Sequence, residues 1–255
     1  MDLYFQGMSW INMGRNPADT ARGRGFFERA LALDPDNLDA VVATACADAQ
    51  AATGYYVDDR AERLVSVEAN LNRVLSQSPN NARAHYCMGR VLVQSKRGAQ
   101  GIAECERALA LNPNLAAAHG AIGVAKVFDG HPEETESHEL EALRVSPHDT
   151  EADVWVAYIA LAKLHLGAYE EALSLYRRAK ELNPNYPTGR FNMAAALMEL
   201  GRLDEARAEV QAGLALNPGF TIRRYRAGAQ SDNPVFLKGR EQIIEAMRNA
   251  GVPEQ

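Results

Sequence analysis

Six short strings of one kind constrain this chain more than anything else in it. Each is an Asp, Asn or Ser followed by proline: Asp34-Pro35, Ser78-Pro79, Asn112-Pro113, Ser146-Pro147, Asn183-Pro184 and Asn217-Pro218. Their prolines stand 44, 34, 34, 37 and 34 residues apart. A polar residue before proline favours a turn, and proline cannot continue the helix that precedes it. The polar residue that follows can cap the next helix. Each string therefore ends one helix and starts another, and the near-constant spacing marks an array of stacked helical units.

Composition agrees with helices throughout. Of 255 residues, 47% are hydrophobic and only 7% aromatic. Ala and Leu, both strong helix formers, dominate, and runs of β-branched residues that could build strands are nearly absent. The net charge of -6 argues against a nucleic-acid partner, since such binding rests on a cationic footprint. The most apolar stretch, residues 154–162, is too short to cross a bilayer and ends at Lys163, so no membrane role is expected. Cys46, Cys87 and Cys105 sit in apolar helical patterns, as small reduced core residues do, which fits a cytoplasmic, reducing compartment.

Three of the five intervals equal the period of tetratricopeptide repeats, and the residues within them resemble that family's pattern of small and apolar slots. Residues 81–113 carry Met88-Gly89, Leu92, Gly101 and Cys105 at these slots. Residues 115–147 carry Ile122-Gly123, and residues 153–184 carry Ile159-Ala160, Gly167, Ala172, Tyr176 and Ala179. Residues 187–218 carry Met193-Ala194, Leu197, Gly201, Ala206 and Val210. Small residues there let two antiparallel helices approach closely. The resemblance implies an all-α, right-handed superhelical solenoid of antiparallel helix pairs. It divides the chain into a partial first repeat (8–35), a repeat with an insert (36–79), four repeats (80–113, 114–147, 148–184, 185–218) and capping helices (219–255). Residues 1–7 contain Leu-Tyr-Phe-Gln-Gly, read as the remnant of a protease-cleavable expression tag and set aside.

The ten extra residues of the longest interval fall around residues 54–59, expected to form a projecting loop between lengthened helices. At the C-terminal end a helix over 220–229 carries Arg223, Arg224 and Arg226, expected to face solvent. Asn233-Pro234 then opens a last helix with Val235, Ile243, Ile244 and Met247 turned inward, stopped by Gly251. The 26–35 segment, the 55–60 insert and the 231–253 tail also resemble the C-terminal repeat regions of some bacterial class III adenylate/guanylate cyclases. That likeness implies a regulatory role and no catalysis, since no cyclase motif is present.

The family places the first helix of each pair on the concave side, which puts Val42, Tyr86, Arg90, Val93, Val124, Phe128, Leu161, His165, Phe191 and Met198 on the inner face. Such a groove suits an apolar peptide or helix, unless the chain's own cap or a second copy covers it. The family's carboxylate clamp is missing, because its inner positions carry Tyr86, Gly120, Ala157 and Phe191. Lys126 and Lys163 occupy a normally packed slot. They either line a pocket for an anionic ligand, with Glu139 a partner for Lys126, or reach outward to water. His131, Glu134 and His138 have partial metal spacing, but His131-Pro132-Glu133-Glu134 is an ordinary helix start and no further ligand completes a set. No phosphate-binding glycine loop or nucleophile elbow occurs. The expectation is a non-enzymatic scaffold without cofactor that binds a protein or peptide partner. The alternatives are a regulatory segment of a nucleotide cyclase and a self-association module forming a homodimer.

Overall fold

The computed structural model describes residues 2–13 and 15–255. Fourteen α-helices and no strand occur among the described residues. They run α1 (Leu3–Met13), α2 (Pro17–Leu33), α3 (Leu38–Thr53), α4 (Arg60–Gln77), α5 (Ala82–Gln94), α6 (Gly98–Leu111) and α7 (Ala116–Phe128). After a short 3-10 turn (Pro132–Glu134) come α8 (Thr135–Val145), α9 (Ala152–His165), α10 (Tyr169–Leu182), α11 (Pro187–Glu199), α12 (Leu203–Leu216), α13 (Ile222–Ala227) and α14 (Pro234–Asn249). Antiparallel pairs α1/α2 through α11/α12 stack side by side, and α14 lies back against α11 and α9. This is the superhelical array that the proline spacing implies.

Local chemistry builds each unit as the turns suggest. Asn37 and Asn81 accept hydrogen bonds from the amides of Ala40 and Ala84, so the residue two places after the proline caps the next helix. The small slots bring helices together: a Cβ on Gly89 would lie 2.8 Å from the Gly101 carbonyl, and one on Gly101 would lie 2.7 Å from the Gly89 carbonyl. The same arrangement joins α1 to α2 at Gly7 and Gly23. Leu3–Met13 thus forms a whole partner helix for α2, and residues set aside on the sequence are part of it.

Three features depart from the sequence reading. The 54–59 loop turns inward instead of projecting. Tyr55, with φ 60°, is 3% exposed and packs edge-on against Phe220. The cause is the end of α3, where the amides of Tyr55 and Tyr56 bond back to the carbonyls of Ala52 and Ala51, curling the chain toward the axis of the array. Second, α14 is rotated from the expected phase: Val235 is 58% exposed, while Phe236, Ile243, Ile244 and Met247 are buried. Phe236 sets the phase by packing between Phe128 and His165. Third, Cys46 and Cys87 form a disulfide, with Cα atoms 5.9 Å apart, so only Cys105 is a free thiol. They belong to α3 and α5, successive inner helices that lie in contact, a neighbourhood that one-dimensional spacing does not show.

The array closes on itself. Gln230 donates to the Tyr55 hydroxyl at 2.8 Å, Arg224 pairs with Asp58 at 2.6 Å, and the Asn233 amide donates to the Asp129 carbonyl at 2.7 Å. On the other side, Arg15 reaches Asp153 at 3.3 Å and the Thr150 carbonyl at 2.7 Å. The inner helices α3, α5, α7, α9 and α11 are therefore buried nearly all round, while the outer helices bury one stripe each.

Candidate functional site

Closure leaves a chamber on the inner side, partly open to solvent at its mouth. Of the inner-face residues read from the sequence, Tyr86, Arg90, Val93, Val124, Phe128, Leu161 and His165 line it. Val42, Phe191 and Met198 lie elsewhere. Val42 is buried between α3 and its neighbours, Phe191 stacks on Phe220 with centroids 3.9 Å apart, and Met198 packs on the C-terminal core.

The lining departs in character from an apolar groove. Arg15, Arg90 and Arg240 line the chamber with a single carboxylate, Glu151, as do six of the chain's nine tyrosines: Tyr55, Tyr56, Tyr86, Tyr158, Tyr186 and Tyr225. Arg15 is held by Asp153 and lies 3.9 Å from Glu151. Arg90 bonds the Tyr86 hydroxyl at 3.4 Å, and that hydroxyl donates to Glu151 at 3.2 Å. Burial alone would lower the pKa of Arg90, but the Tyr86 and Glu151 oxygens more than offset this and hold it charged. Arg240 is 4% exposed and lies over the Tyr225 ring at 3.9 Å. It bonds Gln230, the Tyr55 hydroxyl and the Tyr225 carbonyl. Burial beside Arg240 pushes His165 down to about 4, so it is neutral near pH 7.

The polar candidates are separate from this chamber. Lys126 pairs with Glu134 at 2.6 Å, and Lys163 pairs with Glu136 and Glu171, both at 3.0 Å. Both ammonium groups reach acids of the outer layer. Glu139, expected as a partner for Lys126, is wholly buried against Gly120 and Gly123, and neither oxygen has a hydrogen-bond partner. Lys126 takes Glu134 because the 3-10 turn before α8 carries that acid to the surface, while the Glu139 side chain enters the gap left by the two glycines. His131, Glu133 and Glu134 lie together on the surface, with Glu134 already engaged by Lys126.

Sequence reasoning missed Arg15, Tyr55, Tyr56, Glu151, Tyr158, Tyr186 and Arg240. Tyr158 alone carried a usable signal, standing three residues before Leu161 on the same face of α9. The others lie in loops, at helix starts or on the cap, where no inner-face period applies.

Comparison with known proteins agrees with this architecture. Two family models described as tetratricopeptide repeat match residues 163–230 and 138–187. Over 61 residues the chain is 43% identical to an uncharacterised protein of Methanocaldococcus jannaschii, covering 24% of this chain and 71% of that one. It is 22% identical over 207 residues to a peroxisomal targeting signal receptor of Kluyveromyces lactis, covering 68% of this chain and 37% of that one, so it spans little more than a third of that relative. The crystal structure of a thermophilic TPR protein from Thermus thermophilus superposes with a TM-score of 0.59 at 18% identity, covering 77% of this chain and 97% of that one. Helix pairing, the glycine crossings, the turn spacing and these matches lead to one conclusion: the chain carries tetratricopeptide repeats, matched over residues 138–230, within a superhelical array of helix pairs.

Proposed function

We propose that the protein is a non-enzymatic interaction scaffold whose recognition surface is the central chamber, in place of an open apolar groove. The observation that carries this reading is the occupation of the inner face. α14 and the 54–59 loop pack against the inner side of the array, and the space that remains is a polar and aromatic chamber partly open to solvent. Such a space fits a short extended segment of a protein partner better than a long helix, which is about 10–12 Å across with its side chains. Tyr86, Arg90, Val93, Val124, Phe128, Leu161 and His165 are its proposed contacts, joined by Tyr158 and Arg240.

A displayed library of short random peptides, selected on the folded protein, tests the reading. Leu161 is half-buried on the chamber wall, so Leu161→Trp fills space without removing a polar contact. Selected peptides should lose at least tenfold in affinity for this variant, read by fluorescence anisotropy, while its thermal melt stays cooperative. Unchanged affinity in the folded variant would place recognition on another surface.

A further inference from the structure

The chamber is cationic in an acidic protein. Three arginines and one carboxylate line it, although the whole chain carries -6. Asp153 neutralises Arg15 from behind. Arg90 and Arg240 take part in no ion pair among the described residues, and Arg90 has a single long hydrogen bond, to Tyr86. The Nε of Arg240 is buried without any partner. Buried cations normally hold a counter-charge, because a desolvated charge is costly when unpaired. Two guanidinium groups with free donors therefore describe a place for an anion. Their planar forks match carboxylate and phosphate oxygens, often two bonds at a time.

The rest of the wall is aromatic. Two-thirds of the chain's tyrosines gather here in a protein with 7% aromatic residues. Ring faces and edges favour another aromatic ring in offset or edge-on contact. We propose that the group received by this chamber is an aryl anion: a planar aromatic body bearing one carboxylate or phosphate, the anion held by Arg90 and Arg240 and the ring held among the tyrosines. This rests on the reading of the chamber as the recognition surface and names the chemistry recognised there.

Three probes of one size test it by titration calorimetry at low salt: phenylacetate, phenyl phosphate and neutral phenylacetamide. At least one anion should bind tenfold or more tightly than phenylacetamide, and the tighter of the two identifies the head group. Arg90→Gln should remove that tenfold preference. Arg90 bonds the Tyr86 hydroxyl and lies over that ring, so a thermal melt of the variant accompanies each titration. If the variant does not fold, the comparison of anion with amide on the parent chain decides alone. Binding of both anions no tighter than that of phenylacetamide, anion binding unaltered in Arg90→Gln, or no probe binding at all would overturn the inference. Selected peptides that still depend on the chamber while aryl anions fail would leave the recognition surface standing without this chemistry. Loss of both would remove the recognition surface as well.

Discussion

Glu139 is the residue whose environment is most at odds with its chemistry. Burial, reinforced by the negative charge of Glu151, holds its carboxyl well above the usual carboxylate range. Its folded-state pKa therefore exceeds its unfolded one, and the unfolded chain releases the proton first. Stability from this group is complete below the unfolded value of about 4.3 and declines as pH rises toward the folded one. Glu139→Gln keeps the shape and cannot ionise. Near pH 8 the variant should melt several degrees above the parent, with the gap closing toward about pH 4.5, near the unfolded value. A gap independent of pH in a series of calorimetric melts would refute the assignment. The sequence marked Glu139 as unusual because an acid stood at an apolar slot. It could not show that Gly120 and Gly123 would open a recess for it, or that Lys126 would find Glu134 instead.

At the scale of the element, the ends of the inner helices share one design. After α7, α9 and α11 a glycine with positive φ (Gly130, Gly167, Gly201) turns the chain, and the next amide bonds back to the helix. After α5 the same place is held by Lys96, with φ 62° and the Arg97 amide bonded to the Leu92 carbonyl. An L-residue there costs about 1–2 kcal/mol in backbone conformation, while glycine adds chain entropy to the unfolded state. Lys96 also pairs with Asp232, but both side chains are well exposed and such pairs are worth little. Lys96→Gly should stabilise the protein by roughly 0.5–1 kcal/mol, visible as a Tm raised by about 2–4 °C per kcal/mol. A lower melting temperature would show that the Asp232 contact outweighs the backbone term. Tyr55 holds the matching place after α3, yet its ring is buried in the core, so glycine there would remove more than it relieves. Element boundaries were legible because proline, asparagine and glycine act within one turn. The phase of α14 was not, since Val235 and Phe236 are equally apolar and only the packing between Phe128 and His165 separates them.

For the whole molecule, closure governs behaviour. An open array touches only nearest neighbours, and its units can fray from the ends. Here Tyr55 and Gln230 meet across 175 positions of sequence. No local pattern announces a contact of that length, which is why the sequence leaves a groove on the inner face and its covering by the chain's own cap as alternatives. Phe236 is 1% exposed at the seam between the cap and α7 and α9. Phe236→Ala should cost about 3–5 kcal/mol in denaturant unfolding, the usual range for a buried phenylalanine. Hydrogen exchange should accelerate in α14 and also at the C-terminal ends of α7 and α9. Faster exchange confined to α14 would mean that the cap is an appendage and not part of one cooperative body.

The contact between Tyr55 and Gln230 also bears on how such a chain can change over evolutionary time. Arrays of this kind commonly lengthen or shorten by duplicating or losing one helix pair. Adding or removing a pair between α4 and α13 would shift every later unit by one step and carry Gln230 and Arg240 away from Tyr55. The number of helix pairs between α4 and α13 is therefore tied to this one contact, and a chain with one pair more or fewer could not keep the seam closed.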